Sequence, residues 1–225
     1  MPVNFLSEDQ RRRYGRFTGK PDEGQLAGSF HLDATARRRA MACNGARNRL
    51  GWALQLGTVR FLGTFLQDPE AVPPIVVEYV ADQLGLDAAA LAGYGQKQAR
   101  WDHQEQIRSA YGYLPFGADQ WFAMARWLYG RAWIGSQRPT LLFDLATARL
   151  VRRKILLPGV TILERLIAGV RERAEQRLGA TLAAAPSPEQ AKQLQQLVVI
   201  PAGRRVSELD RLRRSPRDCL RPRDR

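Results

Sequence analysis

Apolar residues recur along this chain three or four apart, and strict alternation of apolar and polar positions is nearly absent, so the pattern predicts helices throughout. Ser7 followed by Gln10 has the spacing of a capping box and predicts a first helix through Arg11, Arg12, Arg13 and Tyr14. Asp33 is placed to cap a second, carrying Arg37, Arg38 and Arg39. From Arg47 to Leu66 the spacing predicts a long helix with two apolar faces. Leu50, Leu54, Gly57, Phe61 and Phe65 form one; Trp52, Leu56, Val59, Leu62 and Leu66 form the other. A helix apolar on two faces belongs in the middle of its unit. Pro73 and Pro74 open the next helix, with Val76, Val77, Val80 and Leu84, and Gly85 ends it. A short helix is expected after Asp87, then a polar one from Gln96 to Tyr111 and an aromatic one with Trp121, Phe122, Trp127 and Trp133. Another runs from Thr140 to Lys154. Pro158-Gly159 then turns the chain into a long helix to about Leu182, with Leu163, Ile167, Val170, Ala174 and Leu178 on one stripe. Pro186-Ser187-Pro188 breaks it, and an arginine-rich stretch follows to Arg225. The expected architecture is all-α. It has two tandem helical units, 1–95 and 96–185, with short helical segments and a basic tail over 186–225.

Charge adds a partner class to this picture. Of the 225 residues, 35 are Lys or Arg and 22 are Asp or Glu, a net charge of +13. Lys20, Lys97, Lys154 and Lys192 are the only lysines, so the excess is carried by arginine. The guanidinium fork suits phosphates and guanine edges, and a polyanionic partner is the first expectation. Cys43 and Cys219 have no CxxC neighbours, no apolar leader opens the chain and no stretch is long enough to span a bilayer. A soluble protein of the reducing cytoplasm is expected. His31 and His103 are the only histidines, and neither has a metal-ligand spacing. Phosphate loops, nucleophile elbows and HExxH helices are missing, and Asp144 and Glu164 are expected to pair with arginines. The reading therefore includes no catalytic residue, no metal and no cofactor.

Val77 to Gln96 has helix-turn-helix spacing, with Ala81 and Gly85 four apart and Val80, Leu84, Leu86, Leu91 and Tyr94 at the apolar positions. The second helix would carry Ala88, Ala89, Ala90, Ala92 and Gly93, none of which reaches a base edge. Two readings stay open: a DNA-reading unit whose contacts come from Gln96, Lys97, Gln98 and Arg100, or a turn that only packs the core. Arginines cluster at Arg11-Arg12-Arg13 with Arg16, at Arg37-Arg38-Arg39 and at Arg47-Asn48-Arg49, where Asn and Arg are the types that pair with adenine and guanine. Arg152, Arg153 and Lys154 close the helix before Pro158, and Thr161 and Arg165 open the next. The terminal cations also complement a helix dipole, and both roles are compatible.

Several runs carry a family resemblance. Met-Pro-Val-Asn-Phe-Leu-Ser through Gln10-Arg11-Arg12-Arg13-Tyr14-Gly15, and Asn48 through Gly63 (NRLGWALQLGTVRFLG), resemble the start of replicative TnpA-type transposases of the Tn-three family. So do Val72-Pro73-Pro74, Val80 through Gly85, Lys154 through Thr161 and Gly203 through Arg213. The resemblance implies a helical region that binds the transposon's terminal inverted repeats as double-stranded DNA. In that family an RNase-H-like catalytic domain lies far downstream, and it has no counterpart in this sequence. The DNA-binding residues expected from the basic clusters and the helix after Gly159 are Arg11, Arg12, Arg13, Arg37, Arg38, Arg47, Asn48, Arg49, Lys97, Arg100, Arg152, Arg153, Lys154, Thr161 and Arg165. A bacterial, nucleoid-associated location and association with itself or with full-length transposase are further expectations. The alternatives are a truncated transposase that regulates transposition, or a basic module for protein or RNA. Arg217 to Arg225 departs from the family pattern and reads as a disordered tail.

Overall fold

A computed structural model describes residues 5–66, 68, 71–94, 97–135 and 137–213; the side chain of Lys97 is not among what it describes. The expectations for Gln96 and for the tail from Arg217 lie outside the described residues. Among the described residues eleven α-helices follow one another: α1 (Glu8–Arg13), α2 (Glu23–Phe30), α3 (Ala34–Met41), α4 (Ala46–Leu62), α5 (Pro74–Leu84), α6 (Lys97–Tyr111), α7 (Ala118–Ile134), α8 (Pro139–Arg152), α9 (Val160–Ala184), α10 (Pro188–Val198) and α11 (Glu208–Leu212). No strand occurs among the described residues, and the protein is all-α as expected. A single bridge joins Leu114 and Ile155, where Leu114 N–H donates to the Lys154 carbonyl and Leu156 N–H to the Leu114 carbonyl, both at 2.9 Å.

Local side-chain chemistry starts these helices. Ser7 and Gln10 close the expected capping box on α1, and the Asp33 carboxylate accepts from the Ala36 N–H at 2.7 Å. Pro74 sits in the first turn of α5, and Gly85 takes φ 64° to end it. Helix α2 was not legible in the periodicity, because two glycines fall within its eight residues and each costs about 1 kcal/mol relative to alanine. A capping box from Asp22 to Gln25 and the burial of Leu26 and Phe30 hold it.

The chain divides into two compact units, Met1–Arg173 and Ala174–Arg225, with the boundary inside α9. In the first, α4 is buried over ten consecutive residues from Leu50 to Val59, as its two apolar faces require. Around it pack Phe30 of α2, Ala36 and Ala40 of α3, Val76 and Val80 of α5 and Ile107 of α6. The buried Gln55 amide donates to the Leu66 carbonyl at 3.0 Å and accepts from the Leu66 N–H at 2.9 Å. That pair folds the chain back after Gly63, whose φ of 73° ends the helix at Leu62 rather than at Leu66. Phe65 and Leu66 are buried, but by the returning loop. A second cluster joins Met124 and Leu128 of α7, Leu142, Phe143, Ala146 and Leu150 of α8, and Leu163, Leu166 and Ile167 of α9. Leu6, just before α1, belongs to this second cluster. In the other unit, Ser187 and Ser207 close capping boxes at the starts of α10 and α11.

The helix-turn-helix reading is not confirmed. After Gly85 the chain makes a four-residue 3-10 turn, Ala88–Leu91, capped by Asp87. One such turn offers no recognition helix. Leu86, Ala88, Ala90 and Leu91 pack on the first core, as the core-packing reading expects. Tyr94 follows, 2% exposed, with its hydroxyl 2.9 Å from His103 Nδ1 and its ring stacked on the imidazole.

This pair has a pH signature. Burial holds His103 below the ordinary histidine value of 6.5, with Asp102 pulling weakly the other way. A neutral ring accepts the Tyr94 hydroxyl at Nδ1, and a protonated one cannot. The unfolded chain therefore binds the proton more readily, so the site's stabilisation is full above about pH 6.5 and is lost as pH falls through and below it. The urea midpoint should drop between about pH 7.5 and pH 5.5, and His103→Leu should remove that part of the slope. An identical slope in the variant would show that His103 contributes none of it.

Candidate nucleic-acid interface

The structure distributes the predicted arginines unevenly. On α1, Arg11 points inward and donates to the fully buried Glu164 at 3.0 Å, whereas Arg12 and Arg13 are exposed and pair with Asp9. Helix α3 buries Ala36 and Ala40, which leaves Arg37, Arg38 and Arg39 on its exposed sides. None of these three has a carboxylate partner among the described residues. At the start of α4, Arg47 is exposed. Its neighbours are committed to the loop before the helix: the Asn48 amide donates to the Asn44 carbonyl at 2.9 Å and Arg49 Nε to the Cys43 carbonyl at 3.0 Å. Arg100 is half-buried on α6.

The second basic region lies around the end of α8. Arg152 and Arg153 are exposed there. Lys154 takes φ 53°, a position where glycine is common, and its Nζ donates to the Tyr111 carbonyl at 3.2 Å. Thr161 and Arg165 are exposed on the first turns of α9. Sequence reasoning missed the centre of this region. Trp127 on α7 has two guanidinium groups over its ring, Arg131 and Arg149, each with Cζ 4.7 Å from the centroid. Arg149 is pushed below the usual arginine value by its own burial first, then by Arg153, Arg152 and Arg131. Trp127 and Arg131 are four apart, as are Arg149 and Arg153. That spacing was visible, but the convergence of α7 on α8 was not. Beside this region Trp121, Phe122 and Trp133 of α7 remain exposed.

Other chemistry is sparse. A cleft of about 590 Å³ runs between α1, α4 and the loop before α9, lined by Arg11, Tyr14, Arg16, Thr58 and Leu157. Among the described residues no group of three or more His, Cys, Asp or Glu could hold a metal ion. No described helix is long and apolar enough to cross a membrane.

Among the described residues, exposed arginines without carboxylate partners on α3, at the start of α4 and at the end of α8 give this all-α protein a basic surface suited to a polyanion. The chain belongs to the family described as Domain of unknown function (DUF4158), whose pattern matches residues 5–170, more than half of the chain. Among curated proteins it is similar to the transposase for transposon gamma-delta of Escherichia coli (strain K12). The two are 47% identical over 219 residues, 96% of this chain and 22% of that protein. It is also similar to the transposase for transposon Tn1546 of Enterococcus faecium, 30% identical over 201 residues, 86% of this chain and 19% of that protein. The transposase for transposon Tn3926 of Escherichia coli is 32% identical over 173 residues, 76% and 17% respectively. These likenesses bear out the resemblance to Tn-three family transposases. The chain spans about a fifth of the length of the curated relatives it matches.

Proposed function

We propose that this chain binds double-stranded DNA at the terminal inverted repeats of a transposon, as the recognition part of a transposase and without cutting DNA itself. The observation that supports it most is the set of exposed arginines without carboxylate partners among the described residues, in a chain 47% identical to a transposase over 22% of that protein's length. On this reading the two DNA-facing parts expected as 1–95 and 96–185 each present a basic surface. One presents Arg37, Arg38 and Arg47; the other presents Arg152, Arg153 and Arg165. Two separated contact surfaces on one rigid partner raise affinity beyond either alone.

Fluorescence anisotropy on an inverted-repeat duplex and on a scrambled one tests this. The repeat should bind more tightly, and affinity should fall by about 10³-fold or more between about 50 and 200 mM salt if six or more phosphates are contacted. Equal affinity for the two duplexes would remove the transposon-end reading, and a flat salt response would remove nucleic acid altogether.

A further inference from the structure

Four cations of like sign converge where α7 meets α8. Arg131 and Arg149 share the Trp127 ring, and Arg152 and Arg153 lie close enough to Arg149 to disfavour its charge. Among the described residues none of the four is within ion-pair distance of a carboxylate, and neither Arg131 nor Arg149 donates a side-chain hydrogen bond to the protein. The partial negative charge at the end of α8 accounts for Arg152 and Arg153. It does not account for Arg131, nor for a second guanidinium on the same ring. A guanidinium held over a ring by its charge makes no hydrogen bond with it, and its N–H donors stay available to another group. Trp127 thus holds two donor forks that no described residue satisfies.

We propose that Trp127, Arg131, Arg149, Arg152 and Arg153 form a clamp for the phosphodiester backbone of duplex DNA. It holds phosphate oxygens by charge-assisted hydrogen bonds and reads no base. The inference rests on the DNA-binding reading above and assigns one surface of it to sequence-independent positioning. Duplex backbone fits better than a protein acid patch, because planar forks on a fixed ring match phosphate oxygens bidentately.

The test uses the full chain in salt-titrated anisotropy on the repeat and scrambled duplexes. Arg131→Gln with Arg149→Gln should weaken binding about tenfold or more, by the same factor on both. It should also lower the magnitude of the slope of log affinity against log salt by about two, near 0.9 for each phosphate no longer neutralised. Arg131→Lys with Arg149→Lys should keep the slope while losing part of the affinity. Trp127→Phe, which keeps an aromatic face in the second core, should lie between wild type and the glutamine pair. An unchanged slope in the glutamine pair, while wild type still prefers the repeat, overturns the clamp alone. A loss confined to the repeat also overturns it, since that marks base reading. Wild type binding neither duplex overturns the DNA reading and the clamp together.

Discussion

Arg11→Met should destabilise the protein by about 3 kcal/mol, the lower part of the range for breaking a buried ion pair from one side. Glu164 stands in the second turn of α9 with its side chain fully buried. Its Oε1 accepts from the Leu6 N–H at 3.3 Å and from Arg11 Nη2 at 3.0 Å. Its Oε2 lies 3.0 Å from the same nitrogen, ion-paired though not aligned as a hydrogen bond. Residues 5–14 are thereby fastened to the second core, where Leu6 is buried and Tyr14 packs 5.2 Å from Phe143. Removing the guanidinium leaves a buried carboxylate without its countercharge. The Arg11 side chain is 19% exposed, so some water reaches the site and the upper part of the range is not expected. Arg11→Met combined with Glu164→Leu should recover most of the loss, less about 1 kcal/mol or more for a Leu6 N–H left without an acceptor. Urea unfolding of the two variants measures both numbers. A single variant within 1 kcal/mol of wild type would show that the pair behaves as a surface contact. The result also separates fold from function, because Arg12→Gln and Arg13→Gln touch only an exposed pair with Asp9 and leave this anchor intact.

What the sequence made legible follows from the range of the forces involved. Caps at Ser7 and Asp33 and the left-handed stop at Gly85 are local contacts between a side chain or backbone torsion and the next turn, so spacing alone reveals them. The central place of α4 was legible because burial writes itself into two apolar faces. Its end was not, since Phe65 and Leu66 are apolar for the sake of a returning loop, and periodicity cannot tell that loop from one more helical turn. The candidate interface was half legible. Arginine runs on α3 and at the end of α8 are exposed as a charged helix face predicts. Arg11 looks the same in sequence, and only its contact with Glu164, 153 residues away, separates it. Trp127 was read as one more apolar residue, because its two cations come from different helices. The helix-turn-helix spacing was ambiguous for a related reason. An alanine run after a glycine turn suits close packing on α4 as well as it suits a motif, and nothing polar in it argued for a groove.

Gly51→Ala and Gly57→Ala should each cost about 2–3 kcal/mol although both add a better helix former. Both glycines sit in the buried run of α4. A Cβ at 51 would overlap the Tyr94 ring, and one at 57 would overlap the Phe30 ring. Neither ring has room to retreat. Phe30 is fully buried and stands 5.7 Å from Phe61 and 6.3 Å from Phe17, so moving it disturbs an aromatic cluster. Tyr94 is held by its stack and hydrogen bond with His103, so moving it also strains the link between the 3-10 turn and α6. The two sites lie about 9 Å apart along the helix axis and meet different elements, so their costs should add to about 5 kcal/mol. A total of that size approaches the whole stability of a typical domain, and the double variant should be largely unfolded by circular dichroism at room temperature. Gly169→Ala is the control. It lies on the exposed side of α9 with nothing near the added carbon, and should gain up to about 1 kcal/mol. Equal small gains at 51, 57 and 169 would mean that α4 has slack on both faces, and the close approach of Tyr94 and Phe30 would then not be what holds this core together.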